Sequence, residues 1–294
     1  MPSPRFVHLR FHSEYSITDG IVRIDPMIHA VLEGGGAAVG ISDLMNVFGG
    51  LRFYTHALAA GLKPILGCDL KVINSKDLNK PFRLGVLCMN HEGYHSLSVL
   101  LTKAFLTNND AARGLVDPKW FDDGGSEGLI ALSGAAQGEL GSLLLGKKWS
   151  LAHEAAERFK AQFPGRFYVE LQRAGRPTDE LATARLANFA VEEQLPVVAT
   201  HPIQFLKPED FEAHEVRCSI AEGYTLQDPR RVKRYTPEQY LKSEAEMCEL
   251  FADIPVAIEN TVEIAKRCNL DGVLSKPQLP LFPTPDGMSL DDYI

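Results

Sequence analysis

Histidines and carboxylates in this chain fall at spacings that suit metal-assisted hydrolysis. In the run HLRFHSEYSITDG, His8, Arg10 and His12 alternate, so a strand through them would turn all three to one face. Ser13, Ser16 and Asp19 follow in the next loop, while Ser42-Asp43, Asp69 and Thr200-His201 lie in or at the ends of later apolar runs. Neutral imidazole and carboxylate oxygens are ligands for zinc, manganese or iron. A pair of such ions activates water for attack on a phosphoester. Spacing alone leaves the plain alternative open, because any α/β fold gathers polar residues at strand ends. A second group, Arg230, Arg231, Lys233 and Arg234 beside Tyr235, reads either as a solvated loop or as a contact to a DNA backbone.

The elements that must position these residues show in the periodicity. Apolar, β-branched runs start at Phe6, Ala37, Lys63, Arg83, Leu129, Phe167 and Pro196, giving about seven strands, most of them buried on both faces as parallel strands are. Helical stretches separate several of them: PMIHAVLEG from Pro26, GYHSLSVLLTKAF from Gly93 and DELATARLANFAVEEQ from Asp179. In the last, Leu181, Ala182, Leu186, Phe189 and Ala190 are expected on one face. Repeated βα units predict a parallel α/β architecture, open or closed into an irregular barrel.

After Phe205 only helical signals remain. Thr236-Pro237-Glu238-Gln239 and Ser243-Glu244-Ala245-Glu246 read as capping boxes, and Ala257, Thr261, Ile264, Ala265 and Cys268 mark one face of a final helix. The tail from Asp271 carries Pro277, Pro280, Pro283 and Pro285, then a helix start at Ser289-Leu290-Asp291-Asp292. We read residues 1–270 as one α/β domain with a helical extension, and 271–294 as a proline-rich connection into a further region that is not included.

A formal net charge of -8 over 294 residues argues against a domain built mainly to grip nucleic acid. No run is apolar long enough to span a bilayer, and the start lacks the pattern of a signal peptide. Cys68, Cys88, Cys218, Cys248 and Cys268 form no CxxC pair, so neither a zinc ribbon nor a disulfide framework is expected, and a reducing cytoplasm is the simplest location.

The motifs resemble those of the PHP domain, the polymerase and histidinol phosphatase family, in the form carried by the alpha subunits of bacterial replicative polymerases. Beyond the opening run, matching pieces are GISDLMNVFGGLRFY from Gly40, GLKPILGCDL from Gly61, EGLIALSG from Glu127, PVVATH from Pro196, DFEAHEVRCSIAEG from Asp210, the long stretch from Arg234 to Cys268, and LPLFPTPDG from Leu279. The pieces run in order along the whole chain. The resemblance implies a distorted barrel of the (β/α)7 kind, which agrees with the strand reading.

Active members of the family bind a cluster of metal ions and hydrolyse phosphoesters. Several of their ligand positions are altered here. The opening motif H-L-H-x-H-S keeps His12 but has Arg10 for its second histidine. Asp19 matches the acidic residue of the D-G pair, and T-D-H has become Ser42-Asp43-Leu44. Asp69 stands for a glutamate, Arg83 for a histidine and Ala135 for a cysteine, while the closing N-D-x-H has become His201-Pro202-Ile203-Gln204. Arginine, leucine, alanine and proline side chains offer a metal no lone pair. His12, Asp19, Asp43 and Asp69 remain, enough at most for a single weak ion at His12, Asp43 and Asp69. The expectation is a metal-free remnant with no catalytic residue, in which Arg10 and Arg83 replace lost cationic charge and Arg10 pairs with Asp43 or Asp69.

The resemblance further implies a scaffold in DNA replication. Such a domain docks the separate proofreading exonuclease subunit and braces the polymerase core, and it reaches DNA only through the full-length chain. No cofactor is expected in this stretch, and magnesium is expected only in the polymerase domain outside it. The competing reading is an active metal-dependent phosphoesterase or intrinsic 3′–5′ proofreading exonuclease.

Overall fold

The computed structural model describes residues 5–107, 114–271, 283–285 and 288–293. Its centre is a curled sheet of six strands whose spatial order is their chain order. α1 (Ile24–Glu33) and α2 (Gly50–Ala59) flank β1 (Ala38–Ile41), and β2 (Lys63–Val72) and β3 (Phe82–Cys88) follow without an intervening helix. α3 (His91–Leu106) precedes β4 (Leu129–Leu132), α4 (Glu139–Leu145) and α5 (Trp149–Gln162) precede β5 (Phe167–Gln172), and α6 (Asp179–Glu192) precedes β6 (Val197–Thr200). α7 (Phe211–Glu222), α8 (Glu244–Leu250) and α9 (Pro255–Arg267) make up the helical extension, and α10 (Leu290–Tyr293) is a single turn. Of the proline-rich stretch, Pro277 and Pro280 lie outside the described residues, while Pro283 and Pro285 are exposed.

The sheet is mixed and departs from the parallel expectation at β3. β1–β2, β4–β5 and β5–β6 are parallel, but β3 runs antiparallel to both β2 and β4. The short link over residues 73–81 explains this. It holds no helix to carry the chain back across the sheet, so the next strand must return in the opposite direction.

The expected first strand is also irregular. His8 bridges Val39 of β1, and Phe11 bridges Ile203 beyond β6. The segment thus lies in the gap between the first and last strands and draws the sheet towards closure. Gly40 permits the approach, since a Cβ there would stand 2.8 Å from the Leu9 carbonyl oxygen. With isolated bridges in place of a ladder, strict alternation fails. Leu9 packs in the inner apolar cluster with Ile65, Leu87 and Ile130, while its neighbour Arg10 also turns inward. His8 does not share their face and meets the Lys242 carbonyl at 2.7 Å.

Two further expectations need correction. Leu181 is half exposed, and Thr183 takes its place on the buried face of α6 with Ala182, Leu186, Phe189 and Ala190. At 100° per residue, the buried set at 179, 182, 183, 186, 189 and 190 keeps a spacing of three and four that 181 misses. Thr236–Gln239 makes only half a capping box. Gln239 accepts from the Thr236 N–H at 3.1 Å, but the Thr236 hydroxyl donates to the Ala174 carbonyl, and no helix follows. The Ser243 box does form, on α8.

The inner face of the sheet divides into two layers. The lower one is apolar, with Val7, Leu9, Ile65, Leu87, Ile130, Leu132, Tyr168 and Val198 sealed by Ile264, Ala265 and Cys268 of the α9 end of the extension. One or two side-chain steps further along β2, β3, β5 and β6, the same face carries Asp69, Arg83, Glu170, Gln172 and Thr200. α9 also serves the ladder-poor first segment, whose Val7 N–H donates to the fully buried Thr261 hydroxyl at 2.9 Å. Thr261→Val keeps the volume but strands that donor, and should cost about 1–3 kcal/mol. A urea midpoint lowered at unchanged m value is the expected result.

Candidate functional site

The polar layer is organised around one guanidinium. Arg10 Nη2 lies 2.5 Å from Asp69 Oδ2, and Arg10 Nη1 donates to both Glu170 oxygens at 3.1 Å. All three residues are at least nine-tenths buried. The expected pairing of Arg10 is therefore made with Asp69 and not with Asp43. Glu170 is held from its other sides by the Gly134 N–H at 2.9 Å, by Gln172 at 2.9 Å and by the Thr200 hydroxyl. Burial opposes the charge on Arg10, yet Asp69 and Glu170 outweigh it and hold its pKa above the ordinary arginine value.

Asp69 Oδ2 is crowded with donors. Besides Arg10 it meets His12 Nε2 at 3.3 Å and Arg83 Nη1 at 3.4 Å. Burial alone would raise its pKa, but Arg10 and then Arg83 hold the carboxyl well below the usual range. His12 Nδ1 faces both oxygens of Asp19 at 3.2 Å. Burial disfavours the imidazolium, and Asp19 with Asp69 more than offsets that, raising His12 to about 9. Asp19 also accepts from the Tyr235 hydroxyl at 3.0 Å, and despite burial its pKa is lowered, chiefly by His12.

Asp43 stands apart. It accepts from the Ser13 N–H at 2.6 Å, the Ser13 hydroxyl at 2.7 Å and the Ser16 hydroxyl at 2.8 Å, tying the loop after the first segment. Burial pushes its pKa up, partly countered by Ser13. Leu44 packs against the core, and its N–H donates to the Ser16 hydroxyl. Ala135 is buried at φ +47° beside the Gly134 cap. Pro202 and Gln204 line the polar cavity, and the Gln204 amide lies 3.2 Å from His12 Nδ1. His201 turns away to the Glu238 carbonyl, and burial lowers it to about 3, as it lowers His8 to about 4.

The basic cluster is not one free patch. Arg231 is buried and pairs with Glu215 at 2.7 Å, so it is not available to a DNA backbone. Arg230 pairs with Asp228 at 2.7 Å, Lys233 is exposed, and Arg234 turns to the cavity rim, 3.6 Å from Glu222. Reading the sequence missed Glu170, Gln172 and Arg176, and put Tyr235 beside the basic cluster and not at Asp19. A glutamate and a glutamine alternating with Tyr168 inside an otherwise apolar strand were the available signal for the first two, since charge in a buried strand needs a partner.

Residues 8–174 match the PHP domain family. The chain belongs to that family. Over its whole length this PHP chain is 48% identical to the "DNA polymerase III subunit alpha" of Neisseria meningitidis serogroup B and 43% identical to that of Escherichia coli K12, spanning 26% and 25% of those proteins. It thus covers about a quarter of the relatives' length. Among solved structures it is similar, at 11% identity and a TM-score of 0.44 over 87% of this chain and 62% of the other, to a two-domain Bacteroides vulgatus protein containing a predicted PHP-like metal-dependent phosphoesterase.

The metal cluster of active PHP proteins does not fit the residues found here. Among the described residues no group of three or more His, Cys, Asp or Glu is placed to hold an ion. Asp69 Oδ2 is already contacted by Arg10, His12 and Arg83, and Asp43 is committed to serine donors. A protonated His12 has no lone pair to give.

Two outcomes follow. Arg10→Ala leaves Asp69 and Glu170 buried and uncompensated, and should destabilise the chain by about 3–5 kcal/mol in equilibrium denaturation. The pH dependence carries both signs. The raised His12 contributes fully below its ordinary value of 6.5, and that share is lost as pH rises through about 9. The depressed Asp69 and Asp19 contribute fully above the ordinary 3.8, and lose their share as pH falls below it. Denaturation midpoints of His12→Gln should therefore fall less than wild type between about pH 6.5 and 9; equal slopes would show that His12 carries no charge in the folded state.

Proposed function

We propose that this PHP chain is the corresponding region of a replicative DNA polymerase alpha subunit. In that setting it is a scaffold: it docks the separate proofreading exonuclease subunit, braces the polymerase core, and performs no hydrolysis of its own. The full-length match to polymerase alpha chains at 43–48% identity supports its place in replication, with the cytoplasm as its location. On this reading residues 1–270 form the PHP unit and 271–294 lead towards the polymerase region, where magnesium belongs.

The observation that carries the scaffold reading is the Arg10 guanidinium fixed between Asp69 and Glu170. Two-ion hydrolysis needs cations about 3.5–4 Å apart, one to activate water and one to steady the leaving oxygen. A guanidinium supplies charge there, but it neither coordinates water nor lowers its pKa. The competing phosphoesterase or exonuclease reading requires ligands that Leu44, Arg83, Ala135 and Pro202 do not provide, and Gln204 offers only a neutral amide where the family has an imidazole.

The chain should release no nucleotide from a 3′-mismatched primer and no phosphate from a phosphomonoester across zinc, manganese and magnesium titrations, and Arg10→His alone should not rescue either. It should co-elute with the cognate exonuclease subunit in size-exclusion chromatography. Turnover that survives repurification and disappears in His12→Ala would overturn the inactive reading, and separate elution would overturn docking.

A further inference from the structure

The stretch that follows α7 lies over the upper layer without being woven into it. Between Thr225 and Tyr235, among the described residues, every main-chain hydrogen bond stays inside the stretch: the Asp228 N–H donates to Thr225, the Arg231 N–H to Asp228, and the Arg230 N–H to the Asp228 side chain. It forms no helix or strand, and Leu226 and Val232 are turned to solvent. Asp228 and Tyr235 are half-buried, and Arg231 is its one buried residue. An irregular segment that buries no apolar side chain has little hydrophobic burial to hold it down, and such segments open locally before the core does.

Charge holds it instead. The Arg231 guanidinium enters between two carboxylates of α7, with Nη1 2.7 Å from Glu215 Oε2 and Nε 3.4 Å from Glu222 Oε2. On the outer side Arg234 stands 3.6 Å from Glu222 Oε1. The Tyr235 hydroxyl donates to Asp19 at 3.0 Å, and its ring meets His214 edge-on. The pairing is incomplete, since Glu215 Oε1 is buried with no hydrogen bond of its own. A buried ion pair adds little net stability, because desolvation offsets most of the attraction. Its loss is costly all the same, since Glu215 is then buried and uncompensated for as long as the segment stays closed.

The ends and the underside suit a movement. Gly223, at φ +73°, closes α7, and a Cβ there would meet nothing within 4 Å, so the chain has room to turn. At the other end the Thr236 hydroxyl is tied to the Ala174 carbonyl. Val232, Arg234 and Tyr235 wall a cavity of about 830 Å³ that Asp19 and Cys218 also line. Cys218 itself is only 3% exposed.

We propose that residues 224–235 are a strap that opens as a unit over the upper layer, latched by Arg231 between Glu215 and Glu222. Opening swings Tyr235 off Asp19 and uncovers Cys218 while the barrel stays folded. Access to the polar layer is then set by one ion-pair cluster on α7.

Labelling of the native 294-residue chain with N-ethylmaleimide, followed at each cysteine by peptide mass spectrometry, tests this. Cys88 and Cys268 are buried in the barrel and report its global opening. In wild type Cys218 should label about tenfold or more faster than either. Arg231→Met should raise the ratio of the Cys218 rate to the Cys88 rate by about tenfold again, and Arg231→Lys, which keeps the charge, should raise it less. Glu222→Gln leaves the Glu215 pair in place and is the milder variant should Arg231→Met fail to fold; it should raise the same ratio by about threefold. Equal rates at Cys218, Cys88 and Cys268 would show that only global unfolding uncovers the thiol, and would overturn the strap. A ratio that neither Arg231→Met nor Glu222→Gln shifts would overturn the latch.

Discussion

The buried guanidinium of Arg10 sets the terms for the upper half of this barrel. Asp69 on β2 and Glu170 on β5 face each other across the interior, and two carboxylates there would be costly to desolvate without a charge between them. Arg10 supplies that charge and also the geometry. One nitrogen meets Asp69 while another is shared by both oxygens of Glu170, so strands far apart in the chain are joined through the irregular first segment. Gly134, Gln172 and Thr200 fill the other acceptor sites of Glu170. A buried ion pair of this kind adds little net stability, but it makes the loss of any one partner expensive.

The helical extension is part of the same construction. At the lower end, α9 seals the apolar layer and gives Val7 a hydroxyl acceptor where the sheet ladder is absent. At the upper end, His214 of α7 meets the Asp19 carbonyl at 2.8 Å, and the Tyr235 hydroxyl binds the Asp19 carboxylate. Asp19 is therefore held at main chain and side chain by residues far along the sequence, and it in turn faces His12. The match to the family ends at residue 174, yet the geometry of the conventional site residues depends on helices beyond it.

Much of this was legible in the residues. Strand runs from β1 to β6 stood out because buried β-branched segments between helical periods are hard to mistake, and the arginines at metal-ligand places announced a change of charge. The rest was hidden for identifiable reasons. The antiparallel return of β3 follows from a short link whose lack of a helix has no loud sequence signal. The misplacement of His8 follows from a segment held by isolated bridges, where alternation is not enforced. Glu170 sits within β5 and not at a strand end where polar site residues usually gather, and it is the second carboxylate of Arg10, which Asp43, tied to Ser13 and Ser16, does not supply.

Arginine in the place of a metal ion keeps the sign of the charge, one unit against a divalent ion's two, while changing what the charge can do. A divalent ion accepts lone pairs from any direction and makes its bound water acidic. A guanidinium offers fixed N–H donors in a plane, accepts nothing, and stays protonated. Carboxylates beside it take fixed partners, as Asp69 does with Arg10, Arg83 and His12. The upper layer is a charged interior in which Asp69 and Glu170 are balanced by side chains of the chain itself.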